Sequence, residues 1–378
     1  MTTYRLCERC IMDTSDPDIR FDAQGVCHHC HTYDDVLGRE PVDVKRRELE
    51  LEEGLERIKK AGKGKPYDCV AGISGGVDST YVVWLARQYG LRPLAVHLDN
   101  GWNSEISVGN IHRALEKLGV ELYTRVLDWE EFRDLQVSFL KASTPDSEIP
   151  TDHAIVSTVF QTAWSKGIGH LVLGYNKATE LVLPPAWSQG HFDWRYIRHV
   201  QARFGTRPLK DFPHLAFPNY VRYRLTAERS SFNILNFVDY SRQKAIDVLQ
   251  KELGWRDYGG KHHESVYTRF FQASILPRKF GFDKRRAHLS NQVLAGQLTR
   301  DQALAEIAKP PYATPQLEQD DREYVIKKLG LTEASFEEIM RAPPKRYEDY
   351  PNMFNSRFYL AARGAYRAVR SAVGKKAA

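Results

Sequence analysis

The sequence predicts an α/β protein, a doubly wound parallel sheet preceded by a small cysteine-built knuckle and followed by a mostly helical region. Three observations carry this. From Tyr67 onward, apolar strand-like runs alternate with helical patterns, the order that builds parallel sheets. Polar clusters fall where those strands end, at Ser74–Ser79, at Asp99-Asn100-Gly101-Trp102 and at Gly174-Tyr175-Asn176-Lys177. Ligands of open α/β sheets bind at that edge, where strand order reverses. Finally, four of the five cysteines stand in the first thirty residues as two Cys-x-x-Cys pairs.

Taken in chain order, Cys7 and Cys10 are separated from Cys27 and Cys30 by sixteen residues. Each such turn aims two thiolates at one tetrahedral ion, so residues 1–40 are expected to form a structural Zn2+ knuckle. Disulfides and an iron–sulfur centre are weaker readings, and His28, His29 and His31 crowd the second pair as alternative ligands. Four thiolates close the site and leave no position for chemistry. Residues 41–66 form a linker, with a solvated helix over 42–61 and a Gly62-Lys63-Gly64-Lys65-Pro66 connector.

The core, residues 67–180, should hold strands at 67–73, 93–98, 121–127 and 170–174, with helices at 79–89, 104–118 and 152–166. Residues 181–378 are expected to bind substrate and to be mostly helical. Within them, 184–225 mixes Trp187, His191, Trp194 and Arg195 with proline, a composition that suits either stacking on a base or sugar or a subunit interface. A helix over 240–253 should end at Gly254. A glycine-rich loop then carries Lys261, His262, His263 and Glu264, followed by an amphipathic pattern to Gln272 and a basic run containing Arg278 and Lys279. From Ala287 helical patterns lead to a basic tail.

Ser74-Gly75-Gly76-Val77-Asp78-Ser79 lies between a buried strand and a helix. Glycines allow a tight turn and close approach to a ligand, and a helix start presents N–H groups and a positive dipole end to phosphate. Ser74 and Ser79 can donate to phosphate oxygens, and Asp78 can help hold Mg2+. The G-x-x-x-x-G-K-[ST] and G-x-G-x-x-G patterns are both absent. The segment resembles the SGGxDS loop of the PP-loop ATP pyrophosphatases, which share an adenine nucleotide α-hydrolase-like fold. That resemblance implies ATP cleavage between the α- and β-phosphates. Ser74, Gly75, Gly76 and Ser79 would cradle the pyrophosphate, and Asp78 would have a magnesium-linked catalytic role. Asp99, Gly174 and Asn176 would lie near the nucleotide, although Asp99-Asn100-Gly101 is equally an ordinary turn former.

The layout as a whole is similar to that of the N-acetyl sugar amidotransferases of bacterial O-antigen and nonulosonic-acid biosynthesis. The shared features are the Cys-x-x-Cys pairs, SGGVDS, LVLGYNK and GGKHHES…ILPRKFGFDKRR. The resemblance implies conversion of an acetamido group on a UDP-linked sugar to an acetamidino group, with ATP and ammonia consumed and AMP and PPi released. Lys261 would neutralise phosphate on a closing loop, assisted by Arg278 or Lys279, and Glu264 or His263 would take a proton from ammonia. No cysteine outside the knuckle remains except Cys69, read as a core residue, so ammonia is expected from solution or from a glutaminase partner.

Hydrophobic residues at 42%, charged residues at 27% and a net charge of +6 suit a soluble protein with a polyanionic ligand and do not demand nucleic acid. Neither an apolar leader nor a run of ~18 apolar residues appears, so a cytoplasmic protein without membrane attachment is expected. The main rival is a tRNA thiolase, which also joins zinc-binding cysteine pairs to such a loop. The shortage of spare cysteines and the slight basic excess count against it.

Overall fold

The computed structural model describes residues 3–38, 44–216, 219, 230–260, 264–356 and 359. Among these, one sheet contains β1 (Cys69–Gly72), β2 (Pro93–Asp99), β3 (Leu122–Val126), β4 (His170–Val172) and β5 (Ser230–Phe232). Every pairing is parallel and the order is β3-β2-β1-β4-β5. The chain winds outward through β2 and β3 on one side of β1, then returns to build β4 and β5 on the other. Strand order therefore reverses between β1 and β4, and their carboxyl ends open the crevice that this topology offers a ligand.

Burial explains why the central strands read as unbroken apolar runs. Val70, Leu94, Val96 and Leu171 pack against Val159, Phe160 and Ala163 on one face. Ala71, Ile73 and Ala95 pack against Val83, Ile111 and Leu115 on the other. A strand covered on both faces loses the alternation seen in half-buried ones. At the edge, β3 leaves Tyr123 and Val126 exposed. The sequence reading has no counterpart to β5, a three-residue strand too short for any period to register.

The helices are α1 (His28–Leu37), α2 (Val44–Ala61), α3 (Val77–Gln88), α4 (Glu105–Leu118), α5 (Trp129–Ala142), α6 (Ile149–Ser165), α7 (Lys177–Glu180) and α8 (Trp194–Phe204), followed by α9 (Arg242–Val248). Helix α5 is a second omission of the sequence reading, though its signals are ordinary. Asp128 caps it by accepting from Glu131 N–H at 2.8 Å, and Phe132, Leu135 and Phe139 form its buried stripe. Helix α8 lies inside the aromatic 184–225 segment. Helix α9 widens into a π-helical turn, Leu249–Leu253, and stops at Gly254 with φ +66°.

Beyond this come α10 (Val266–Phe270), α11 (Arg285–Leu294), α12 (Arg300–Ile307), α13 (Pro315–Leu329) and α14 (Glu333–Arg341). Helix α10 runs on as a π-helical stretch, Phe271–Phe280, that contains Pro277 and ends at Gly281 with φ +73°. The cysteines of the knuckle share one core with Trp187, Phe270 and Phe282, and the Trp187 and Phe282 rings stack at 4.4 Å. No described helix is long and apolar enough to cross a membrane.

Candidate active site

Ser74-Gly75-Gly76 carries the chain from β1 into α3. Gly75 has φ +79°, and a Cβ there would stand 2.3 Å from the Ser107 carbonyl oxygen, so only glycine fits. Ser74 N–H donates to Ser79 Oγ at 3.1 Å, and the two hydroxyl oxygens lie 3.1 Å apart. The serines are thus held side by side across the mouth of the turn. Helix α3 has no side-chain cap, unlike α4, whose Ser104 accepts from Ser107 N–H, and α10, whose Ser265 accepts from Thr268 N–H. Gly76 N–H donates to Ser74 Oγ at 3.3 Å, and the dipole of the helix favours an anion at this end.

A second layer fixes this turn. Trp255 Nε1 donates to the Gly75 carbonyl at 2.9 Å, and Asn110 accepts from Arg256 N–H at 2.8 Å. Asp78, in the first turn of α3, accepts from the Tyr240 hydroxyl. Burial and the Asp78 charge push the Tyr240 phenol up. A Cβ on Gly76 would meet Ser74 Oγ at 3.1 Å, Glu264 Oε1 at 3.2 Å and Tyr258 Oη at 3.3 Å, so this glycine also sits in a tight cradle. Burial raises the Glu264 carboxyl, the Asp78 charge adds to that, and Arg242 opposes it. Tyr240, Arg242, Trp255 and Tyr258 are absent from the sequence expectations, because nothing in their spacing ties them to a loop so far away in the chain.

The other strand ends give a mixed result. Asp99 accepts from Gly101 N–H at 2.9 Å and from Asn103 Nδ2 at 3.3 Å, so it shapes its own turn. Trp102, read as part of a polar cluster, is a core side chain whose Nε1 donates to Gln136 at 2.6 Å. Gly174 lies against α3, where a Cβ would stand 3.7 Å from the Asp78 carbonyl carbon. The end of β4 and the start of α3 thus meet at the reversal point. Asn176 is buried and caps α7 by accepting from Ala178 N–H at 2.8 Å, while its Nδ2 has no hydrogen-bond partner among the described residues.

The loop opens on a cavity of about 410 Å³ above β1 and β2. Ser74 and Ser79 form one wall; Glu148, Thr151 and Asp152 from the start of α6 form another, joined by Gln272 and Lys284. Gln272 Nε2 donates to Glu148 Oε2 at 2.9 Å. Burial pushes the Glu148 carboxyl up to about 7, Lys284 opposes this, and Asp152 and Asp146 reinforce it. Behind this wall His191 Nε2 stands 3.4 Å from Asp146 and 3.2 Å from Asp152. Although burial would lower it, those two carboxylates hold the imidazole at about 10. Burial would raise Asp146, but His191 and Lys284 hold it at about 2.

Of the remaining expected residues, Glu264 lines the cavity, whereas Lys261 and His263 lie outside the described residues. Arg278 pairs with Glu318 at 2.7 Å on the surface and Lys279 donates to the Ile339 carbonyl. Neither lines the cavity; the π-helical stretch turns both toward the carboxyl-terminal helices, and Lys284 takes that place.

Cys7, Cys10, Cys27 and Cys30 are fully buried with no disulfide among them. Their Sγ atoms stand 3.7–3.8 Å apart in the pairs Cys7–Cys30, Cys10–Cys27 and Cys27–Cys30. A tetrahedral ion with Zn–S bonds of about 2.3 Å requires edges of about 3.8 Å, so the four cysteines could hold zinc. Cys27 N–H donates to Cys7 Sγ at 3.2 Å, a contact that supports thiolate charge. The nearby histidines are engaged elsewhere: His29 with Asp16 at 2.7 Å, His31 with Asp22 at 2.8 Å, and His28 with Arg20 N–H.

Residues 264–362 match the family model described as LPS biosynthesis protein WbpG-like, C-terminal domain. This match supports the amidotransferase resemblance read from the GGKHHES…ILPRKFGFDKRR segment. The matched segment reaches both sites. It supplies Glu264, Gln272 and Lys284 to the cavity. Two residues further on, Arg286 donates to the Ile11 carbonyl at 2.7 Å and pairs with Asp13 at 3.1 Å. Arg300 donates to the Cys7 carbonyl at 2.8 Å and the Cys10 carbonyl at 3.2 Å. The segment's amino-terminal edge is stitched beside β2, where Ser104 N–H donates to the Glu264 carbonyl at 2.8 Å and Val266 N–H to the Trp102 carbonyl at 3.0 Å.

No curated protein matches the sequence. Among solved structures, the chain is similar to an NH3-dependent NAD synthetase from Campylobacter jejuni subsp. jejuni NCTC 11168 in complex with the nitrate ion. The identity is 16%, covering 77% of this chain and 98% of that one, with a TM-score of 0.33. A TM-score that low carries no argument, and the fold rests on the strand order itself.

Proposed function

We propose that this chain is an ATP-dependent, AMP- and PPi-forming amidotransferase of bacterial lipopolysaccharide biosynthesis. It acts on the acetamido group of a UDP-linked N-acetyl sugar and leaves an acetamidino group. The observation that carries the reading is the uncapped start of α3, at the reversal point of a parallel sheet, with paired serines and a glycine that tolerates no side chain. The WbpG-like match supports the pathway.

An amide carbon resists amines because its oxygen leaves poorly. Transfer of AMP to that oxygen makes it a leaving group, and ammonia then displaces it. The burden on the protein is charge: pyrophosphate departs while negative charge crowds the α-phosphate, which positioned donors can offset. The α3 N–H groups, Ser74 and Ser79 would bind the departing pyrophosphate. Asp78 would hold Mg2+, which neutralises phosphate charge when bound. The Tyr240 hydroxyl orients that carboxylate, and Arg242 adds a fixed positive charge nearby. Zn2+ at the four thiolates would be structural, and a glutaminase partner would deliver ammonia.

The thiolase reading finds little support. Cys69, the one cysteine outside the cluster, is fully buried in β1, and burial pushes its thiol up, away from the reactive thiolate. The test is AMP and PPi formation with ammonium chloride across a panel of UDP-sugars and unmodified tRNA. Stimulation by a UDP-acetamido sugar is expected; stimulation by tRNA alone, or ADP as product, would overturn the proposal.

A further inference from the structure

We infer that Glu148 is the catalytic residue that takes the proton from the attacking nitrogen, in the cavity that Ser74 and Ser79 also line. This rests on the amidine-forming reading and names a residue that reading leaves unassigned.

Three carboxylates line the cavity: Glu148, Asp152 and Glu264. Glu264 stands against Gly76, where a Cβ would be 3.2 Å from its Oε1, and so belongs to the pyrophosphate side. Asp152 has 46% of its side chain exposed and is turned to His191, leaving it in water and ion-paired. Glu148 differs from both. It is 7% exposed, oriented by Gln272 at 2.9 Å, and lines the same cavity as Ser74 and Ser79.

The step balances. The nitrogen lone pair forms the C–N bond, and the nitrogen, now positive, gives one proton to the Glu148 carboxylate. The C–O bond to AMP breaks and its electron pair leaves with AMP. A second requirement is that the base be deprotonated at working pH yet basic enough to accept. The titratable groups around Glu148 are Lys284 from the segment before α11, Asp146 and Asp152 from its own segment, His191 behind them and Tyr267 from α10. Burial among them puts Glu148 at about 7, close to the optimum for a base in neutral solution.

The experiment uses the full metal-loaded chain and separates the two half-reactions. ATP–pyrophosphate exchange with the UDP-sugar and no ammonia reads adenylation alone; amidine formation with ammonium chloride reads both steps. Glu148→Gln should keep exchange within about twofold and lower amidine formation roughly a hundredfold. The acid limb of the pH–rate profile, near pH 7 in the unmodified chain, should disappear. Glu148→Asp should restore part of the rate. Lys284→Met should move the limb to higher pH, because it removes the cation that holds Glu148 down. Glu148→Gln with unchanged amidine formation, or with exchange and amidine lost together, overturns the assignment to Glu148. Absence of exchange in the unmodified chain overturns the reaction reading, and the inference with it.

Discussion

The two walls of the cavity are built in opposite ways. The loop wall comes from one run of consecutive residues, Ser74–Ser79, whose shape is set by local rules: a glycine with positive φ, two serines and a helix start. The second wall is assembled from the start of α6, the π-helical stretch and the segment before α11, and its charges are set only by their mutual packing. The lesson is that anion binding can be written into a short motif, whereas a tuned carboxylate needs a tertiary surround. The second wall is also the one fastened to the knuckle, through Arg286 just beyond Lys284.

That last point gives the largest expected effect. Metal binding in such four-thiolate sites is folding free energy, on the order of 10 kcal/mol. Chelation, or Cys27→Ser, should therefore strip hydrogen-exchange protection from residues 5–33 and from α11 and α12, while β1 and α3 stay protected. Equal loss in all these elements would show that the two walls are not separately supported.

Next, Gly75→Val should abolish the loop wall alone. The Cβ would collide with the Ser107 carbonyl, and AMP formation should fall by roughly a hundredfold or more, as for loss of an oxyanion-site donor. Zinc content should not change; a fall in zinc would mean that the walls are coupled.

His191→Ala tests the second wall. It leaves buried Asp146 without its ion-pair partner, with only Lys284 opposing the desolvation, and should cost about 3 kcal/mol in urea unfolding. The sign with pH follows from the direction of each shift. His191 is raised, so its contribution is fully present below the ordinary imidazole value and is lost as pH rises through about 10. Asp146 is lowered, so its contribution is present above the ordinary carboxylate value and is lost as pH falls toward about 2. The stability difference between the unmodified chain and the variant should be level below the ordinary imidazole value of 6.5, shrink steadily above it and be gone by about pH 10. A difference independent of pH up to 11 would show that the pair is not charged.

The smallest effect is expected from Arg278→Ala. Arg278 is 55% exposed, so less than about 1 kcal/mol should be lost with its ion pair, and AMP formation should stay within about twofold. A large fall in turnover would return Arg278 to the cavity.

Much of the sheet was legible because buried parallel strands and capped helices leave long periodic signals. The four predicted strands and the loop at Ser74–Ser79 fall where expected. Helix α5 had its cap and stripe in plain view and was passed over; β5 was too short to show. The site divides along the same line. Gly75 could be read because its backbone demands glycine. Arg278 and Lys279 were expected near phosphate only through the resemblance, and the π-helical stretch gives them partners on the carboxyl-terminal helices instead, Glu318 and the Ile339 carbonyl.

By itself the sequence determined the glycine–serine turn after β1, the four-cysteine cluster and the parallel order of strands, since each depends on neighbours within a few residues or on burial of both sheet faces. Only the tertiary structure decided that Glu148 lies beside Lys284 and Gln272, that Tyr240 steadies Asp78, and that Arg286 and Arg300 grip the knuckle. Those contacts join residues distant in the chain. Their energies come from desolvation and charge, which no local pattern encodes.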